Sequence, residues 1–271
     1  MARAALTFVL AASFVLSLSA VAPASAAPVS VADAAASLAP GGTLRAAINF
    51  GNPVLATRDT ATGEPRGVSV DLARELGKRL GVPVELVLYP AAGKVVEGLK
   101  ASAWDVGFVA IDPARAVDID FTGPYVIIEG AYLVPAQSPI RNNPEIDREG
   151  VRIAVGAGSA YDLYLTRELK HAQLVRAPTS PMVVDTMIEQ KLDAAAGVKQ
   201  QLEADAKRVP GTRLLEGRFM VIEQAMAMPK GRAAGARYLA EFVEEMKASG
   251  FVARALAQHG IAGAAVAPPA R

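Results

Sequence analysis

From residue 43 onward the apolar positions fall into two alternating rhythms. Short, nearly continuous apolar runs read as buried strands: TLRAAIN at 43–49, VELVL at 84–88 and the run at 106–111. Between the first two, Leu72, Leu76 and Leu80 recur every four residues, which predicts a helix over 70–80 stopped by Gly81. A shorter helix is predicted over 94–101. After a polar, proline-bearing stretch at 138–150 the pattern restarts, with strands at 151–156, 173–175 and 193–198. Helices over 160–169 and 181–190 separate them, the second opening on Pro181 with Ser180 as its N-cap. A strand-like run at 225–228 and two helices, 235–249 and 251–259, end the patterned region. The Ala-rich lead-in at 27–40 is expected to fray and the tail at 262–271 to be disordered.

Strands that alternate with helices imply parallel pairing through crossover helices. EGLKASAWDVGFV and DTMIEQKLDAAAGV follow the same order of helix, turn, Asp and small-residue strand. That order is either an internal duplication or the grammar any two βαβ units share. The layout predicts an α/β protein of two lobes plus a helical tail. A cleft between such lobes, floored by strand C-termini and helix N-termini, suits a small ligand.

Composition narrows the picture. The first 26 residues combine Arg3, an apolar run from Leu6 to Val21 and Ala24-Ser25-Ala26, the pattern of a cleavable signal peptide (1–26). The chain has no cysteine, so neither disulfides nor a lipidated cysteine are expected, and stability must come from packed cores. A formal charge of +1 with 20% charged residues offers no basic stripe for nucleic acid and no bulk attraction to membranes.

The candidate chemistry clusters at the ends of predicted elements. Arg115 follows the sharp Asp112-Pro113 turn after the strand at 106–111. A guanidinium there presents a planar fork of donors suited to a carboxylate, unless it pairs with Asp118 or Asp120. Gly156-Ala157-Gly158-Ser159 precedes a helix, so its N–H groups favour an anion. Ser159 is also a good N-cap, with Asp162 three residues on. Tyr161 in that first turn either meets a ligand or packs. Lys94, after Gly93, either adds positive charge to the cleft or is solvated. Trp104 reads as core.

Four segments in order carry a family resemblance. They are GEPRGVSVDLARELGKRLGVPVELV, WDVGFVAIDPARAVDIDFTGPYV, VRIAVGAGSAYDLYL and AMAMPKGRAAGARYLAEFVEEMKASGFVARALAQHGI. Together, over about 44–261, the chain resembles the extracytoplasmic solute-binding proteins of family 3, which serve ABC importers of polar amino acids and related solutes. The resemblance implies the two-lobe type II periplasmic binding protein fold, its lobes joined by two hinge strands near 126–130 and 221–225. Lobe 1 would comprise 43–126 plus 225–262, and lobe 2 residues 131–221. It implies that Arg115 clamps the ligand's carboxylate. It also implies that Asn49, Asn52 and Phe50, at the end of the first strand, contact ligand. Glu129, near the first crossing, either meets a cationic group or pairs across the hinge.

Three departures stand out. Family members that bind amino acids usually carry an Asp for the ligand's ammonium where this chain has Val198. Val109-Ala110 replace the hydroxyl residues that commonly precede the arginine, and NFGNPVLATR replaces an aromatic-Pro-Phe loop. The expected ligand is therefore a small carboxylate without a free α-amino group, an organic acid or amino-acid derivative. The expected protein is a periplasmic monomer, not an enzyme, without cofactor or metal, that hands its solute to an inner-membrane ABC permease. The alternatives are an exported dehydratase-like enzyme, for which Asp112 and Glu129 are the available carboxylates, or a ligand-presenting sensor.

Overall fold

The computed structural model describes Met1 and residues 28–270. The signal-peptide segment therefore lies, but for Met1, outside the described residues. The chain runs α1 (Val31–Leu38), β1 (Leu44–Asn49), the hairpin β2 (Thr57–Arg58) and β3 (Pro65–Arg66), α2 (Val68–Leu80), β4 (Val84–Tyr89), α3 (Ala92–Lys100) and β5 (Val106–Ala110). A long strand, β6 (Ile119–Pro135), leads to β7 (Arg152–Gly156), α4 (Ala160–Glu168), β8 (Gln173–Ala177), α5 (Val183–Glu189), β9 (Ala194–Val198), α6 (Lys199–Arg208) and β10 (Thr212–Leu214). The return is β11 (Met220–Pro229), α7 (Ala233–Ala248), α8 (Phe251–Gln258) and β12 (Ala265–Val266).

The main sheet has the order β4-β1-β5-β11-β6-β9-β7-β8. Its two ends are parallel, β1 beside β4 and β5, and β7 beside β8 and β9. Between them β6 and β11 run antiparallel, from Ile119 opposite Pro229 to Gly130 opposite Met220, with register breaks between Gln224 and Ala227. These two strands join the two lobes of a mixed α/β fold.

The elements follow from their side chains. In α2 the four-residue spacing puts Val68, Leu72, Leu76 and Leu80 in the core, and Gly81 ends the helix at φ +68. β5 is buried along its whole length, as a central strand covered on both faces must be. Trp104 is fully buried and donates from Nε1 to the carbonyl of Val95 at 2.8 Å.

The ends of the chain differ from expectation. Residues 31–38 are not a frayed lead-in. Ser30 caps α1 by accepting from the N–H of Asp33 at 3.1 Å, and Ala34 and Leu38 are fully buried. Small residues let this helix approach α7 closely, and a Cβ on Gly235 would come within 2.6 Å of Ser37 Oγ. The tail is not disordered. β12 pairs with Val126 and Ile127 of β6, the Ala267 N–H donates to the carbonyl of Tyr125 at 3.2 Å, and Lys247 Nζ donates to the carbonyl of Pro268 at 2.8 Å. A third strand thus lies against β6 where it crosses between lobes. Helix α6 carries no clear apolar period, because only Leu202 and Asp205 are buried. Ser180 does not cap a helix but begins a short 3-10 turn ahead of α5.

Asp105 gathers the first lobe. It is 1% exposed and takes Nε and Nη2 of Arg45 at 2.9 and 3.0 Å and Nη1 of Arg232 at 3.2 Å. Arg232 also donates to the carbonyl of Ser37 at 3.2 Å, so one carboxylate ties β1, β5, α1 and the approach to α7. Burial pushes its pKa up, but hydrogen bonds from Arg45 and Arg232 outweigh that and hold it below the usual range. A carboxyl lowered on folding contributes stability that is complete above its unfolded value and is lost as pH falls through its folded one. Asp105→Asn should lower unfolding stability by about 2 kcal/mol at neutral pH, and the gap from wild type should narrow as urea titrations are repeated below about pH 4. A constant gap would assign the loss to packing instead.

Candidate functional site

The turn after β5 aims Arg115. Asp112 accepts the Ala114 N–H on its carboxylate at 2.8 Å and the Arg115 and Ala116 N–H groups on its carbonyl at 3.0 Å each. This local bonding, typical of an Asp that starts a turn, doubles the chain back beneath the end of β5. The guanidinium of Arg115 donates from Nη1 to the carbonyl of Ala110 and from Nη2 to the carbonyl of Gly158 across the cleft, both at 2.8 Å. Its Nε has no partner, although the residue is only 3% exposed. Neither Asp118 nor Asp120 pairs with it, and Asp112 is held by Nη2 and Nη1 of Arg167 on α4 at 2.9 and 3.3 Å. Burial pulls the Arg115 pKa down to about 10, with the charge of Asp112 opposing. The group remains a cation at neutral pH, buried with carbonyl dipoles for company.

The opposite wall is the start of α4. Ser159 caps it, accepting from Asp162 N–H at 3.0 Å, while Asp162 accepts the Gly158 N–H at 2.9 Å and pairs with Arg176. The N–H groups of Ala157 and Ser159 donate to the carbonyls of Ala177 and Gly156. The amides of the glycine loop, expected from the sequence to face an anion, are thus already used. The N–H groups of Ala160 and Tyr161, one step on, have no acceptor among the described residues. They sit at the positive end of the helix, where free amides are a ready anion site.

These groups share one cavity with about 30 Å³ open to the centre of a water molecule. Asn49, Gly51, Asn52 and Arg115 wall it on one side and Ser159, Ala160, Tyr161, Ser180 and Val198 on the other, with Ala110, Ile222 and Gln224 from the sheet. Asn49 Oδ1 accepts the Gly51 N–H at 2.9 Å, so its carbonyl shapes the loop. Asn52 is 7% exposed and its Oδ1 has no partner. Burial pushes the Tyr161 phenol up, so it is neutral at neutral pH.

Three of the residues singled out by sequence lie elsewhere. Lys94 pairs with Glu97 at 2.7 Å on an exposed groove at the cleft's outer lip. Phe50 is half-buried with the guanidinium of Arg58 over its ring at 4.9 Å. Glu129 pairs with Arg218 at 2.7 Å and Lys199 at 3.4 Å, and Arg218 chiefly holds its carboxyl below the usual range. Conversely, Gln224 and Ala160 line the cavity without a mark in the motifs above, and Ser180 reads in the sequence only as a helix cap. Of the first two, Gln224 alone left a trace in the sequence, an amide in an otherwise apolar strand end.

The lobes meet backbone to backbone beside the cavity. A Cβ on Gly158, at φ +68, would lie 2.8 Å from Gly93 Cα at the start of α3. Only glycine fits both the backbone angle and the approach.

A sequence model of the bacterial extracellular solute-binding proteins, family 3, matches residues 44–261. The chain belongs to this family. Membership carries an extracytoplasmic solute-binding role and delivery of a small solute to an ABC transporter. Similar solved structures include a mutant of ArgBP from T. maritima, with TM-score 0.72 and 19% identity over 84% of this chain and 99% of that one. A solute receptor for L-cysteine of Neisseria gonorrhoeae aligns with TM-score 0.72 and 25% identity over 84% and 93%. An ancestral amino acid-binding protein, described as a precursor of cyclohexadienyl dehydratase, aligns with TM-score 0.69 and 21% identity over 81% and 96%. The type II periplasmic binding protein fold of this family 3 protein is thereby established. Among the described residues no helix is long and apolar enough to cross a membrane.

The glycine contact yields a prediction with an internal control. Gly150 also has positive φ, +82, but nothing lies within 4 Å of a Cβ built on it. Gly158→Ala should cost at least about 1 kcal/mol more unfolding stability than Gly150→Ala, because it adds a clash to the shared backbone strain. Equal losses in urea titrations would contradict a tight contact between the lobes.

Proposed function

We propose that the protein is the periplasmic solute-binding component of an ABC importer, which captures a small carboxylate-bearing solute between its lobes by hinge closure. The observation that carries this reading is the unpartnered Nε of the buried Arg115 cation, opposite the free amides of Ala160 and Tyr161. A carboxylate would complete both walls at once, which would stabilise the closed arrangement further when solute is present. Lobe 1 is read as 43–126 plus 225–262, now with α1 and β12 packed on it, and lobe 2 as 131–221. Closure would turn on β6 and β11, with the register breaks at Gln224–Ala227 as the compliant point. The protein is read as a monomer that presents the closed form to an inner-membrane permease, after export on a signal peptide spanning 1–26.

The two carboxylates suggested for catalysis are both in ion pairs, Asp112 with Arg167 and Glu129 with Arg218 and Lys199. That weighs against the dehydratase-like alternative, since an acid–base group needs a transferable proton within reach of substrate. Product formation on incubation with candidate solutes would revive it. Unimpaired uptake after deletion of the gene would favour the sensor reading.

In a thermal-shift and titration screen of carboxylates and amines, at least one small carboxylate should raise the melting temperature of the wild type. Arg115→Lys keeps the charge but loses the fork, and should weaken that binding by about tenfold or more. Undiminished carboxylate affinity in this variant would sink the reading.

A further inference from the structure

The polar groups on the cavity wall point to a narrower ligand class, an inference that rests on the carboxylate reading above. Among the described residues that line the cavity Arg115 alone is charged, so they give the site a charge of +1. A monoanion brings that to zero. A zwitterionic amino acid leaves the cation in place and adds a buried ammonium with no carboxylate of the protein to meet it. The acids nearest in the chain are turned to other partners, Asp112 to Arg167 and Asp162 to Arg176 and the Gly158 N–H. Val198 adds only methyl groups to the lobe 2 wall.

What the cavity does present is a neutral acceptor. Asn52 Oδ1 is buried and unpartnered, and Asn52 and Arg115 both line the same small cavity. An uncharged O–H satisfies such an oxygen without the desolvation cost of an ammonium, whereas an apolar group leaves it unsatisfied. We propose that the site selects small 2-hydroxy carboxylates, with the carboxylate on Arg115 and the α-amides of Ala160 and Tyr161, and the hydroxyl donating to Asn52 Oδ1. Selection against the deoxy analogue then comes from the unpaired amide oxygen, and selection against the amino acid from charge.

Matched skeletons test this by isothermal titration at pH 7.5: lactate, alanine and propionate, and glycolate, glycine and acetate. The expected result is that the hydroxy acid of each set binds at least tenfold tighter than its amino and deoxy counterparts. Asn52→Ala should erase the preference for lactate over propionate while propionate binding persists. Val198→Asp, which supplies the missing anion without touching the Asn52 loop, should reverse the preference between lactate and alanine. Alanine binding as tightly as lactate in the wild type would overturn the inference while leaving the carboxylate reading intact. So would a preference for lactate over propionate that survives Asn52→Ala. Indifference of the protein to every carboxylate, with binding of amines or sugars, would overturn both.

Discussion

A buried guanidinium that has no carboxylate of its own is an unstable possession for a protein. Arg115 is shut from water, loses part of its basicity to burial, and is held by two backbone carbonyls. Dipoles offset the desolvation of a cation less completely than an anion does. The surroundings could have relieved this, for Asp112 sits three residues away, but that carboxylate is committed to Arg167 of the other lobe. The arrangement leaves a cation at the centre of the molecule with its Nε donor to spare. The proposed ligand is what that donor is for, and the rest of the site reads as a means of keeping the cation both available and charged.

The scaffold meets that need by splitting the site across two lobes. Arg115 belongs to the turn after β5 and the free amides to the start of α4. The contacts that bring them together are few and specific: Arg115 to the Gly158 carbonyl, Arg167 to Asp112, and the glycine pair Gly93 and Gly158. Away from the cleft each lobe is braced by itself. Asp105 knits α1, β1 and the approach to α7 in the first, while Asp162 and Arg176 fasten the start of α4 in the second. Among the described residues the β6–β11 ladder, with β12 alongside, spans the two, so motion between them would be concentrated where the ladder loses register.

Much of this was legible in the residues. The helix α2 follows from Leu72, Leu76 and Leu80, β5 from its unbroken apolar run, and the position of Arg115 from the Asp-Pro turn before it. These are local signals, set by period and by turn chemistry. What could not be read depends on partners far away in the chain. The tail from 262 looks like disorder until β6 offers an edge, and α1 looks frayed until α7 covers Ala34 and Leu38. The glycine loop reads as an anion site in the sequence, but its own amides are consumed by Asp162, Gly156 and Ala177, partners that only the three-dimensional structure brings to it. Lys94 and Glu129 carry the right charge at suggestive positions, yet Lys94 has Glu97 one helical turn on, a pair legible in the sequence, whereas Glu129 meets Arg218 from far along the chain.

The most direct measurement is the Nε–H resonance of Arg115 in protein labelled with nitrogen-15 arginine, assigned by its loss in Arg115→Lys and followed during titration with acetate, glycolate, lactate and succinate. The account predicts that at least one of these moves that resonance downfield and saturably, as a carboxylate takes the unpartnered donor. If a carboxylate binds while the resonance stays where it was, or if only solutes without a carboxylate move it, Arg115 does not do what its burial implies.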